Sequence, residues 1–186
     1  MTRLYLMRHG QTLFNVMDVN QGHSDSPLTE TGITQAKQAK QWFLDQDIRF
    51  DRVYTSSSER AIDTAELITD LPYTKLKSLK EINLGTKEAS PNRDNPVYPY
   101  GDYFVTFGGE DLDDFTQRIY SALKDIAEAS SGQTVLVVSH GMAIKRFFTA
   151  IAYEKQELIL GNCAIVDMDY QEGQFKVNAV INPTQI

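Results

Sequence analysis

Cysteine and tryptophan each appear once in these 186 residues, and histidine three times. The lone cysteine, Cys163, rules out a disulfide within the chain and fits a reducing compartment. Its apolar neighbours Ala164, Ile165 and Val166 read as packing around a buried, inert thiol rather than a nucleophile. Positive charge is also short: 18 Lys and Arg against 25 Asp and Glu leave a net charge of -7. That balance speaks against a broad surface for nucleic acid or an anionic membrane. Any anionic ligand must then be held by a few focused cations. No apolar run approaches the roughly 20 residues that span a bilayer. Nor does the N-terminus carry the apolar segment and small-residue cleavage site of a signal peptide. A cytoplasmic chain is therefore expected. Internal repeats, low-complexity tracts and linkers are absent, so one domain over residues 1–186 is expected.

What is present is an alternation of short apolar runs and amphipathic stretches. Strands are predicted at about Arg3 to Met7, Arg52 to Thr55, Tyr73 to Leu79 and Thr134 to Val138. A hairpin is predicted from Cys163 to Asp169 and Phe175 to Val180 around Glu172-Gly173. Helices are predicted at about Thr29 to Leu44, Ser57 to Thr69, Glu110 to Ala129 and Met142 to Tyr153. The clearest helical period is Leu112, Phe115, Ile119, Leu123 and Ile126; Ile33, Ala36, Lys40 and Phe43 give a weaker one. Strands alternating with helices imply an α/β three-layer sandwich, a mainly parallel central sheet with an antiparallel edge from the terminal hairpin. That edge could pair with a second copy, so a homodimer is possible and the oligomeric state stays open. Residues 86–109 hold three of the six prolines, three glycines and five aromatics without a period. A stretch of this length reads as an ordered lid over a site.

Two strands end in the same way. "LYLMRHG" delivers Arg8, His9 and Gly10, and "VLVVSHG" delivers His140 and Gly141 just before a helix. In an open parallel sheet, ligands bind outside the carboxyl ends of the strands, so His9 and His140 are candidates to face one ligand. Glycines beside them let backbone N–H groups approach that ligand. In "VYTSSSERAIDTAE", Ser56 and Glu59 have capping-box spacing, which puts Arg60 in a first helical turn where the dipole disfavours a cation. An anion in front of Arg60 would resolve the conflict. Arg8, next to an apolar strand, likewise needs a partner to offset its desolvation. Arg8, Arg60, His9 and His140 converging with helix N-terminal amides make a site for a tetrahedral dianion such as phosphate. Two guanidinium groups would keep His9 neutral and nucleophilic, and a carbonyl accepting its Nδ1 proton would aim Nε2 at phosphorus. The leaving oxygen needs a proton from a carboxyl group. Glu81 in "SLKEINLG" is the best placed, with Glu88, Glu110 and Asp111 as competitors.

The segment "LYLMRHGQTLFN" resembles the Arg-His-Gly signature of the histidine phosphatase superfamily, the cofactor-dependent phosphoglycerate mutase-like proteins. The similarity continues in family order through "GHSDSPLTETGITQA", "YTSSSERAIDTAE", "LKEINLG", "FGGED" and "VLVVSHGMAIK". The resemblance implies that His9 is the phosphorylated nucleophile, that Arg8, Arg60 and His140 hold the phosphoryl group, and that Glu81 is the proton donor. Asn15 matches a phosphate-contacting position, and Gly10, Gln21, Gly22 and Gly141 fall with it as phosphate- or substrate-binding. Family members use no metal, and no metal or other cofactor is expected. Two departures stand out. After Gly85 many relatives carry Trp-Glu-Gly where this chain has Thr86-Lys87-Glu88-Ala89, so that wall of the pocket is expected to differ. After Glu110 many carry Ser, where this chain has Asp111. His23 lies near the expected mouth of the site and reads as a surface or structural residue.

The leading expectation is a metal-independent phosphomonoester hydrolase acting through a phosphohistidine on a small phosphorylated metabolite. The alternative is a cofactor-dependent phosphoglycerate mutase; compared with mutases of that family, which carry extra segments closing over the substrate, this chain is short. A catalytically silent phosphate-binding module is the third reading. The lid aromatics Tyr98, Tyr100, Tyr103, Phe104 and Phe107, with Arg93 as a cation in the same segment, point to a substrate with an apolar or ring portion.

Overall fold

In the computed structural model, residues 1–153 and 160–185 are described. Strand β1 (Thr2–Arg8) leads through a short helix α1 (Leu13–Val16) to α2 (Glu30–Asp45), β2 (Arg52–Ser56), α3 (Glu59–Ile68) and β3 (Tyr73–Leu76). An irregular stretch with several 3₁₀ turns follows, then α4 (Leu112–Ala129), β4 (Thr134–Ser139), α5 (Gly141–Ala150) and the hairpin β5 (Ile165–Gln171) and β6 (Gln174–Ile181). The six strands form one sheet in the order β3-β2-β4-β1-β5-β6. β3, β2, β4 and β1 are mutually parallel; β5 runs antiparallel to β1, and β6 antiparallel to β5. Glu172 and Gly173 close the hairpin at φ 54° and 81°, the left-handed pair that matches the twist of the strands they join.

The sheet is covered on both faces, as its centre requires. Val135, Leu136, Val137 and Val138 of β4 are all fully buried, the signature of a parallel strand with no solvated face. Leu4, Leu6, Val135 and Val137 pack with α4 and α5. Tyr5, Met7, Leu136 and Val138 pack with α2 and α3. The α4 stripe Leu112, Phe115, Ile119, Leu123 and Ile126 is buried as its period predicts. On α2 the buried line is Gly32, Ala36, Ala39 and Phe43, with Ile33 and Lys40 on its flank. The shift has a local cause: a Cβ on Gly32 would lie 2.1 Å from the Gln11 carbonyl oxygen, so α2 turns its glycine to the loop after β1. Among the described residues no helix is long and apolar enough to cross a membrane.

Several expected boundaries move. α3 starts at Glu59, and the Ser56–Glu59 capping box does not form. Asp25, from the loop before α2, caps the helix instead, accepting from Glu59 N at 2.6 Å and Arg60 N at 3.5 Å. α4 starts at Leu112, because the Asp111 carboxylate accepts from Asp113 N and Asp114 N and fixes the N-terminus there. β3 ends at Leu76, and a 3₁₀ turn, Lys77–Leu79, bends the chain inward. Ser139 Oγ donates to Leu79 O at 2.9 Å and secures that bend.

Candidate active site

The register of the two central strands brings the histidines together. Arg8 of β1 pairs with Ser139 of β4, so His9 and His140 are the next residue on adjacent strands. Their ring centroids lie 5.3 Å apart, and both side chains are buried. His9 Nδ1 is 2.8 Å from Gly10 O. A carbonyl can only accept, so Nδ1 carries the proton and Nε2 keeps its lone pair. Arg60 Nε donates to that Nε2 at 3.3 Å. Burial, then the charges of Arg60 and Arg8, push the His9 pKa well below the usual histidine value, which favours the neutral ring. His140 is also pushed well down, by burial first and then Arg60. Its Nε2 meets Ser56 Oγ at 2.8 Å, while Nδ1 has no hydrogen-bond partner among the described residues.

Arg60 is fully buried. Its position in the first turn of α3 is satisfied by a cage rather than by an external anion alone. Nη1 donates to Ser24 O at 2.9 Å and Asp25 Oδ1 at 2.8 Å, and Nη2 to Gly22 O at 2.9 Å and Gln21 O at 3.5 Å. Asp25 therefore offsets both the guanidinium and the helix dipole, and sequence reasoning missed it. The available signal was Arg60 itself, since a buried cation requires a carboxylate somewhere. Arg8 donates from Nη1 to Leu160 O at 2.7 Å, and its buried Nε has no partner among the described residues. A Cβ on Gly141 would sit 3.3 Å from that Nε, so glycine at the start of α5 lets the guanidinium lie against the helix N-terminus.

Glu81 closes the group. Its carboxylate is buried and accepts from Ile82 N at 3.1 Å and Met142 N at 2.9 Å. Burial raises its pKa above the ordinary carboxylate range, against the opposing pull of those amides, Arg60 and Arg8. The three competing acids are otherwise engaged. Glu88 takes the backbone N–H groups of Gly22, His23, Ser24 and Leu84, and its pKa is lowered; burial works against this, and the hydrogen bonds prevail. Glu110 pairs with Arg118 at 2.7 Å, and Asp111 caps α4.

Arg8, His9, Asn15, Gln21, Glu81 and Gly141 border one cavity of about 540 Å³. Asn15 Oδ1 is taken by Thr12 N and by Asn162 Nδ2, the latter also bonded to His9 O. Gln21 is tied to Thr12 and Ser26. Two expected ligand-binding glycines are not among the residues bordering the cavity. Gly10 gives its N–H to Thr64 Oγ1 at 3.0 Å, and a Cβ there would meet Gly32 O at 2.7 Å. Gly22 gives its N–H to Glu88, and a Cβ would meet Ile82 O at 2.3 Å. Both glycines serve chain packing behind the site. His23 also lies off the cavity, its N–H bonded to Glu88. Thr86 to Ala89 do not border it either, so the departure from Trp-Glu-Gly changes the support of the wall and not its face.

The aromatic segment contributes less than its composition promised. Tyr100 and Phe104 border the cavity, whereas Tyr103 and Phe107 do not. Arg93 is exposed and pairs with Asp94; the cation at the cavity besides Arg8 is Lys145 of α5. Asn20, Asn92 and Asn95 also line it, and Asn20 and Asn95 bond reciprocally at 3.0 and 2.6 Å. The surroundings are carboxamide and lysine more than ring. Among the described residues no three His, Cys, Asp or Glu side chains group as metal ligands.

Comparison with known proteins decides the family. The family description "Histidine phosphatase superfamily (branch 1)" matches residues 4–183. The chain belongs to the histidine phosphatase superfamily. Among other superfamily members, a probable phosphoglycerate mutase, GpmB, of Yersinia pestis is 34% identical over 92% of this chain and 86% of its own. The crystal structure of a phosphoglycerate mutase from Bacillus anthracis superposes with a TM-score of 0.87 at 28% identity, covering 98% of this chain and 94% of that one. A phosphoserine phosphatase from Entamoeba histolytica, solved with 3-phosphoglyceric acid, gives 0.82 at 27% identity over 97% and 96%. This superfamily member is therefore an enzyme of a group that includes phosphatases and mutases.

Proposed function

We propose that the protein hydrolyses a small phosphomonoester through a phosphohistidine at His9, and that it does so in the cytoplasm without a metal ion. His9 Nε2 attacks phosphorus in line; the P–N bond forms as the ester P–O bond breaks, and the leaving oxygen takes the Glu81 proton. The Glu81 carboxylate then removes a proton from water, the water oxygen attacks phosphorus, and the P–N bond breaks. Inorganic phosphate leaves, and His9 and protonated Glu81 are restored. Arg8, Arg60 and His140 stabilise charge on the equatorial oxygens; Arg8 Nε and His140 Nδ1 have no protein partner among the described residues. Asn15 and Gly141 border the phosphate, and Gln21 holds the rim.

The observation that carries this reading is the His9 tautomer: Nδ1–H is fixed on Gly10 O, and Nε2 is presented beside a guanidinium. Hydrolysis also has the support of a similar phosphoserine phosphatase. The mutase reading keeps the same first half-reaction and is supported by the similar mutases. Phosphate release from a panel of phosphomonoesters, run with EDTA and with His9→Ala as control, tests the proposal. Release that survives EDTA and disappears in the variant supports hydrolysis. Interconversion of 2- and 3-phosphoglycerate with a bisphosphoglycerate primer, without net release, would replace it by the mutase.

A further inference from the structure

Glu81 sits on a stretch with little regular structure of its own. The 3₁₀ turn ends at Leu79, and residues 80–84 belong to neither helix nor strand. What fills the place of a regular backbone ladder is one guanidinium. Arg118, on the second turn of α4, donates from Nη1 to Ser78 O at 2.8 Å and Lys80 O at 2.9 Å, and from Nη2 to Glu81 O at 3.2 Å. Its remaining donors, on Nε and Nη2, meet Glu110 Oε1 and Oε2, both at 2.7 Å. All five N–H groups are thereby used, in the planar fork that lysine does not possess. Glu110 extends the hold: its Oε2 accepts from Asn83 N at 3.3 Å, and its own N–H donates to Asn83 O at 2.8 Å. Arg118 also lies over the buried Phe115 ring, 4.9 Å from its centroid, which seats it against α4 and the core.

We propose that the Arg118–Glu110 pair is a positioning device for Glu81, fixing the backbone of the acid-bearing loop so that the carboxyl group reaches the leaving oxygen. The pair touches no reacting atom. It rests on the reading of Glu81 as the proton donor. The loop follows a bend anchored on Ser139, the residue before His140, so its near end moves with the sheet; Arg118 ties the far end to α4. Loss of the fork releases the Ser78, Lys80 and Glu81 carbonyls together. A misplacement on the order of 1 Å at a catalytic group lowers rates about 100-fold.

The distinguishing measurement is the dependence of kcat/KM on the leaving group, across p-nitrophenyl phosphate, phenyl phosphate and a simple alkyl phosphate. A nitrophenolate departs without a proton, whereas an alkoxide needs one. Wild type should show a shallow dependence and Glu81→Ala a steep one. Arg118→Lys is expected to steepen it too, losing about 10- to 100-fold on the alkyl ester and under about threefold on p-nitrophenyl phosphate. Glu110→Gln, which keeps size and one acceptor oxygen, should steepen it less, and it reads the same slope if Arg118→Lys does not accumulate as folded protein. The limb of the pH profile set by Glu81 should move in both variants while the limb set by His9 stays. Equal losses across all three esters, or none, overturn the proposal while leaving Glu81 as the acid. A Glu81→Ala slope as shallow as wild type would instead remove Glu81 from the mechanism, and the positioning role with it.

Discussion

The floor at the strand ends, where the two histidines pair, and the acid-bearing wall of the cavity are built by different means. His9 and His140 hang from neighbouring central strands whose register is fixed by a continuous ladder and a fully buried apolar run. Glu81, Asp25 and the 21–24 loop sit on irregular chain held by charged side chains: Arg118 with Glu110, Arg60 with Asp25, and Glu88 with four amides. The proposed nucleophile is thus placed by the sheet, and the proposed proton donor by ion pairs. Disturbance of the floor should act on every substrate alike, and disturbance of the wall should sort substrates by leaving group.

The largest expected effect breaks the floor. His9→Ala should lower hydrolysis of alkyl and aryl phosphates equally, by about 10⁴-fold or more, and abolish acid-labile ³²P labelling of the protein. Next comes the wall: Glu81→Gln should lower alkyl phosphate turnover by roughly 10²–10⁴-fold and p-nitrophenyl phosphate turnover by less than about tenfold. A loss equal on both esters would erase the contrast between the regions. Asp25→Ala crosses from wall to floor, since it uncaps α3 and removes the carboxylate paired with Arg60. It should destabilise by about 3–5 kcal/mol in urea titrations and lower kcat for all esters.

The pH dependence sharpens the same division. His9 is depressed, so its neutral form, the proposed nucleophile, persists as pH falls below the ordinary histidine value. Glu81 is raised, so its protonated form, the proposed acid, persists as pH climbs above the ordinary carboxylate value. The kcat/KM profile for an alkyl ester should therefore fall on its alkaline side with Glu81 and on its acid side with His9. With p-nitrophenyl phosphate the alkaline limb should flatten. The smallest effect belongs to Glu88. Its folded pKa is lowered, so its stabilisation is present above the unfolded value and is lost as pH falls through the folded one. Glu88→Gln should destabilise by about 2 kcal/mol at neutral pH, with the difference from wild type shrinking as the pH falls below the ordinary carboxylate range.

The sequence made the floor legible because its elements are local. An apolar run ending in Arg-His-Gly or Ser-His-Gly declares a strand, its end and its cargo at once, and the α4 stripe declares one helix face. The wall was not legible, because its determinants pair residues distant in the chain: Asp25 with Arg60, Arg118 with Ser78 to Glu81, Glu88 with Gly22 to Ser24. The places of Gly10 and Gly22 were hidden for the same reason. A glycine needed for chain packing and one needed for ligand approach look identical until the neighbour is known, here Gly32 for the first and Ile82 for the second.

Between Gln21 and Ser24 the N–H groups of Gly22, His23 and Ser24 turn to Glu88, and the carbonyl oxygens of Gln21, Gly22 and Ser24 turn to Arg60. They act as the filling of a small capacitor, oriented dipoles between a fixed negative plate and a fixed positive one. Such a unit neutralises itself at short range, so added salt has little to screen. Ionic strength should then weaken the capture of an anionic substrate at the open face of the cavity while leaving the guanidinium beside His9 where it is.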